Sequence, residues 1–290
     1  PNTAARSLAS PVLRTVGVLF RRQRSTIDAN DLGYVDGVRR ALEPSGIQVV
    51  IPIVKFSAPL IELRSLVRSG ALGGVVLMDV AQGDEREAML LKEGIPTVLI
   101  GSSGSSGGAP GVDTDFGQMA RAAVDHLAGL GHRRVVALMR ETSQDDSHAR
   151  QDQARELLRA AGALAVDVLV RQVPELALAG GDIVGADGLV DGRTAVISNN
   201  PAALVGLACA AQAHGLSIPA DLSVLTLGVT QDSGRQREAF SELSVDREAM
   251  GEAVGSLLLT RLRGEPAPVE HRTLMSAVLT DHGSTARCRD

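Results

Sequence analysis

Twice in this chain, short apolar runs alternate with stretches of helical spacing, and that alternation restricts the fold more than any other feature. The first set has apolar runs at 15–20, 47–54, 75–78 and 97–100; the second has them at 134–139, 166–170, 194–198 and 222–227. Between them lie helical patterns. One covers 30–43, with Leu32, Val35, Val38 and Leu42 on one side and Pro44 ending it, and another covers 57–69, stopped by Gly70. A third opens at Asp84, whose carboxylate caps while Glu87 reaches back, and stops at Gly94. Strand, helix, strand at this spacing means right-handed crossovers and a parallel sheet. Two such sets predict two similar Rossmann-like α/β lobes, and 290 residues suit two domains.

Residues 101–111, GSSGSSGGAPG, separate the sets and read as a loop. Helix 201–214 carries a full set of signals, with Asn200 as cap, Pro201 in the first turn and Gly215 as stop. After a polar stretch from 228, a short strand at 240–245 leads into a helix over 246–263, ended by Gly264. A last strand falls at 276–280, and HGSTARCRD reads as a tail.

The join between the sets is the most informative stretch. In 112–138, Ala120, Ala123, Val124, Leu127 and Leu130 recur at helical spacing, Gly131 stops the helix, and an apolar strand follows. The same stretch has D-x-x-x-G-x-x-A in Asp113, Gly117 and Ala120, and HL-x-x-LGHRR in His126, Leu127, Leu130, Gly131, His132, Arg133 and Arg134. Downstream, I-P-x-D-x-SV is met by Ile218, Pro219, Asp221, Ser223 and Val224, and R-x-ST is nearly met by His282, Ser284 and Thr285. Upstream, PN-x-x-AR-x-L is met by Pro1, Asn2, Ala5, Arg6 and Leu8. Together these motifs resemble the effector-binding core of the LacI/GalR family of bacterial transcription repressors, over nearly the whole chain.

Composition limits the alternatives. Hydrophobic residues at 44% and charged residues at 22% suit a globular protein, and the formal charge of −5 argues against phosphate contacts spread over the surface. Any DNA binding is local. No uncharged apolar run reaches membrane length and no leader pattern is present, so neither a membrane partner nor a signal peptide is expected and a cytoplasmic location is the default. Pro1 in place of Met points to a fragment or a processed product, from which a leader could have been removed. Cys209 and Cys288 give neither a disulfide framework nor metal-ligand spacing.

Enzyme motifs do not hold up. Gly104, Ser106 and Gly108 satisfy G-x-S-x-G, but a nucleophile elbow needs a helix at once, and none starts before about Asp113. Lys stands only at 55 and 92, outside any Walker frame, and no G-x-G-x-x-G follows the first strand. His126 and His132 lack H-E-x-x-H, and read as helix surface and strand entry. No enzyme, metal or cofactor is expected. Open parallel sheets offer instead a ligand crevice at the carboxyl ends of their strands.

The resemblance implies a type I periplasmic-binding-protein-like fold with three crossings between lobes, near residues 113, 245 and 271. The N-terminal lobe is then 13–113 with 245–270, the C-terminal lobe 114–244 with 271–283, and 284–290 a tail. Residues 1–12 form a hinge after a helix-turn-helix headpiece that this chain lacks, with Asn2, Ala5 and Leu8 on operator DNA. It also implies a homodimer and a small effector in the cleft. Arg150 matches the family's cleft arginine, although Gln153 replaces a glycine, and Asn200 its asparagine, although Pro201 replaces an aspartate. Arg150 also reads as a solvated helix residue, and Asn200 as a helix cap. Phe20 is the aromatic candidate for the cleft, with core packing as its equal alternative. Gly101 and Gly228 stand where sugar-binding relatives carry acids, which points to an anionic effector held by Arg150. A periplasmic solute-binding protein of the same architecture is the competing reading.

Overall fold

The computed structural model describes residues 15–21, 29–52, 59–141, 148–174, 179–185, 188–228, 240–265 and 272–289. They form two compact units. One holds the described residues up to Asp113 together with Asp246–Met275; the other holds those from Thr114 to Val245, except His148, together with Ser276 onward.

The first unit is built on a six-stranded sheet of β1 (Thr15–Leu19), β2 (Gln48–Val50), β3 (Gly74–Leu77), β4 (Thr97–Ile100), β5 (Gly111–Thr114) and β13 (Arg272–Met275). Its order is β13-β5-β4-β3-β1-β2, and β1 to β5 pair in parallel. Every residue of β3 is buried and β1 is buried from Val16 to Leu19, as continuous apolar strands covered on both faces should be. Helices α1 (Ala29–Leu42), α2 (Pro59–Arg68) and α3 (Glu85–Lys92) connect the strands. α7 (Arg247–Leu262) joins them from far along the chain.

α7 packs against α1 through glycines. A Cβ on Gly37 would overlap the Glu248 carbonyl oxygen, one on Gly251 the Tyr34 carbonyl oxygen, and one on Gly255 would lie 2.7 Å from Ala41 Cβ. The backbones approach closely because these positions carry no side chain. Arg247 lies over the Tyr34 ring at 5.8 Å, and Arg40 pairs with Glu248 at 2.7 Å at the rim.

The second unit repeats the plan with β6 (Arg134–Arg140), β7 (Asp167–Val173), β10 (Ala195–Ser198), β11 (Ser223–Leu227), β12 (Ser241–Ser244) and β14 (Val278–Thr280), in the order β14-β12-β11-β10-β6-β7. Only β14 runs antiparallel to its neighbour among these pairs. A small ribbon of β8 (Val184–Gly185) and β9 (Gly188–Leu189) lies apart. Among the described residues three α-helices serve this unit: α4 (Phe116–Gly129), α5 (His148–Ala163) and α6 (Pro201–Ala213). Asp115 caps α4 by accepting from Gln118 N–H at 2.8 Å, Gly131 ends it at φ +95°, and Arg133 donates to the Ala128 carbonyl at 2.7 Å. The α/β class and the repeated parallel sheets expected from the alternating pattern are therefore present.

Four expectations need correction. β5 and β13 were not foreseen, because GVDT and RTLM are not apolar runs; the buried Asp113 is held by Arg272 at 2.6 Å. With β13 in the first sheet, residues 272–275 belong to the first unit, and the third boundary falls between Met275 and Ser276. Glu87 does not reach back to Asp84; its Oε1 accepts from Ala109 N–H at 2.7 Å. The HGSTARCRD segment is no free tail. Ser284 is buried, its hydroxyl donating to the Val224 carbonyl, and Cys288 N–H donates to the Leu130 carbonyl.

Candidate functional site

In an open parallel sheet the chain leaves the first strand in one direction and later strands build out in the other, so a crevice opens at the carboxyl ends where the order reverses. In the first unit that point lies between β1 and β3, and in the second between β6 and β10.

At the first point the strands end in Leu19 and Leu77, followed by Phe20 and by Met78 and Asp79. Phe20 is half-buried, compatible with either of its readings. Asp79 has φ +50°, uncommon for a residue with a side chain. Behind them Arg86 is buried and joins both strand ends, donating to the carbonyls of Met78 at 3.0 Å and Leu19 at 3.4 Å. Its charge is met by Asp84 at 2.8 Å. Burial alone would raise the Asp84 carboxyl, but hydrogen bonding and charge from Arg86, with the backbone N–H groups of Ala81 and Arg86, hold it below the usual range. Gly101 follows β4 at φ +105°, where an aspartate would be strained, so the absent acid is a backbone matter as well as a substitution.

In the second unit Arg140 ends β6 and Glu141 follows it, while Asn199 and Asn200 follow β10. Asn200 is fully buried. Its Oδ1 accepts from Ala202 N–H at 3.1 Å and Ala203 N–H at 3.3 Å, capping α6, and its Nδ2 donates to the Pro174 carbonyl at 3.1 Å. The cap reading of Asn200 thus accounts for most of its hydrogen bonding. Asn199, which sequence reasoning passed over, is half-buried and accepts from Arg140 N–H at 2.8 Å. It also donates to Gln153 Oε1 at 2.6 Å. Arg150 lies on α5 one turn before Gln153; its side chain, like residues Asn2, Ala5 and Leu8 of the expected hinge, lies outside what the structure describes. Gly228, at φ +62°, follows β11.

Two sheets of this order, each with its reversal and with chain exchanged at three points, define a fold of periplasmic-binding-protein type. Residues 124–285, more than half of the chain, match the family of periplasmic binding protein-like domains, and the chain belongs to that family. Among curated relatives, catabolite control protein A of Staphylococcus xylosus is 23% identical, over 98% of this chain and 85% of the relative. The HTH-type transcriptional regulator CelR of Thermobifida fusca is 26% identical over 91% of this chain and 79% of its own length. Among solved structures, a LacI-family regulatory protein from Chloroflexus aggregans aligns with a TM-score of 0.81 at 20% identity, covering 95% of this chain and all of its own. A complex of transcriptional regulator CelR with cellobiose aligns at 0.79 with 21% identity, over 93% of this chain and 84% of that one.

Proposed function

We propose that the chain is the effector-binding and dimerisation core of a LacI-type transcriptional regulator, in which a small bound ligand changes operator affinity. The observation that carries this reading is the two-sheet topology itself, together with relatives named as transcriptional regulators that match more than nine-tenths of the chain. A ligand that favours one arrangement of two lobes shifts the population toward it, and DNA affinity shifts with it. The solute-binding alternative is not favoured, since relatives that match most of the chain are named as transcriptional regulators. The reading includes no catalysis, and it places the protein in the cytoplasm, where its DNA is. Among the described residues no helix is long and apolar enough to cross a membrane.

Operator contact belongs in this reading to the hinge residues Asn2, Ala5 and Leu8 and to a preceding headpiece. The dimer is a two-fold one, pairing half-sites by symmetry. Arg150 leads the effector contacts, with Asn200 and its neighbour Asn199 at the end of β10 and Phe20 at the end of β1. Glycines at 101 and 228 remove two acceptors while a guanidinium stays, so the effector carries a carboxylate or phosphate. Calorimetry against cellobiose, other neutral sugars, sugar phosphates and small acids tests this. Micromolar binding of an acid, lost in Arg150→Ala, is expected; equally tight binding of a neutral sugar, undiminished in that variant, would overturn the anionic effector but not the regulator. Sedimentation showing only monomer at micromolar concentration would overturn the dimer.

A further inference from the structure

The second sheet has another opening, at the amino ends of its strands and so on the edge opposite Asn199. A cavity of about 260 Å³ lies there, lined among others by Arg193, Thr194, Asp221, Arg287, Cys288 and Arg289. Its chemistry is cationic in a chain whose formal charge is −5. Arg193 is buried; it donates to the carbonyls of Val135 and Asp167 and pairs with the Asp167 carboxylate at 2.9 Å, while its buried Nε–H has no partner among the described residues. Arg289 is held to Asp221 at 3.3 Å by an exposed pair of the kind that contributes little. Arg287 is exposed, with no ion pair among the described residues. Arg134 adds a fourth guanidinium at the rim, its Nη1 3.3 Å from where a Cβ on Gly192 would lie.

The floor of the cavity is neutral and fixed. His132 is buried, and burial lowers its pKa. Its Nε2 faces the Ala286 carbonyl at 3.0 Å, which only accepts, so Nε2 carries the proton and Nδ1 accepts from the Thr194 hydroxyl at 2.7 Å. Thr194 in turn accepts from the Cys288 thiol at 3.5 Å. Guanidinium groups thus line the opening, with Asp221 as its only lining carboxylate among the described residues.

We infer that this cavity is a second ligand site, separate from the carboxyl-end site and independent of the reading given to it, and that it takes a small phosphate- or carboxylate-bearing anion. Guanidinium forks match both groups by paired N–H donors. The volume lies at the lower edge of the roughly 300–1,000 Å³ typical of ligand pockets, which suits a small anion.

Cys288 is a built-in reporter and the exposed Cys209 an internal reference. Alkylation of the whole chain by iodoacetamide is followed at both cysteines by peptide mass spectrometry, with inorganic phosphate, citrate or neutral glucose added at constant ionic strength. Phosphate or citrate near saturation should slow Cys288 by about tenfold, following site occupancy, and leave Cys209 unchanged. The protection should vanish in Arg287→Ala/Arg289→Ala and persist in Arg150→Ala. Equal effects on the two cysteines, no protection by either anion, survival of protection in the double variant, or its loss in Arg150→Ala would each overturn the site. If Cys288 resists alkylation, calorimetric titration of citrate into the wild type and the double variant decides, since the proposal requires binding in the first and none in the second.

Discussion

Asn199 donates to Gln153 at 2.6 Å while accepting from the Arg140 backbone at 2.8 Å, so one amide ties the carboxyl ends of β6 and β10 to the early turns of α5. Gln153, which stands where the family pattern has glycine, thereby sets the position of the turn that carries Arg150. Gln153→Ala should weaken binding of whichever effector the ligand panel identifies by roughly 0.5–1.5 kcal/mol, the contribution of one hydrogen bond, with the fold retained. Calorimetry showing unchanged affinity would separate the Asn199 bridge from the ligand.

The α1–α7 contact leaves no room for side chains at its glycines. Gly37→Val and Gly251→Val should each cost about 1–3 kcal/mol or more through overpacking against backbone atoms that do not yield. Val at Gly46, whose Cβ position is open, tests instead the strain of a left-handed φ. Urea unfolding of the three variants measures the difference.

For the buried pair in the first unit, Arg86→Met leaves the Asp84 carboxylate without its cation and should cost about 3–5 kcal/mol. Adding Asp84→Ala should recover part of that loss, because the uncompensated charge is gone. Asp84 is depressed in the fold, so its contribution is present above the unfolded carboxyl range and is lost as pH falls through the folded value. A double variant no more stable than Arg86→Met would contradict this account.

His132 gives a pH dependence in a different window. Burial lowers its folded pKa, so below about 6.5, the unfolded value, the unfolded chain takes up a proton that the fold refuses. Stability should therefore fall as pH drops from neutral through that value. His132→Asn should flatten the slope in thermal unfolding scans between pH 7 and 5; an identical slope would point to other groups, His126 first, which burial also lowers.

In the proposed hinge, Leu8→Ala in a protein that includes the headpiece should weaken operator binding strongly and leave effector affinity unchanged, as expected of an apolar wedge between base steps. Equal retention of an operator fragment by the two proteins would remove Leu8 from the mechanism.

What could be read in advance divides along the range of the interactions. β4 falls at 97–100, as its TVLI run suggested, and α6 starts after Asn200 because cap, proline and glycine stop are all local signals. β5 and β13 depend on each other across the chain, with Arg272 meeting the carboxylate of Asp113 in a buried strand. Asn199 escaped notice for the same reason: its partners, Arg140 and Gln153, are distant in sequence, and a lone asparagine beside an evident cap carries no signal. The last segment reads as a tail in the sequence because the partners that hold it, Val224, Ser223 and Leu130, lie far from it along the chain. Glu87 fits a capping box by spacing alone, and the loop amide of Ala109 takes it instead.

The glycine contact between α1 and α7 also has a consequence for the order of events during synthesis. At about 5–20 residues per second, α1 waits on the order of ten seconds or more for the helix that covers it, because the whole stretch from β2 to β12 is made in between. During that interval the face of α1 that carries Gly37 has no partner, while β6, β7, β10, β11 and β12 have already emerged together. The lobe that comes first in the sequence is thus the one that must wait for the end of the chain, and a product halted before Arg247 would carry that bare helix face into the crowded space around the ribosome.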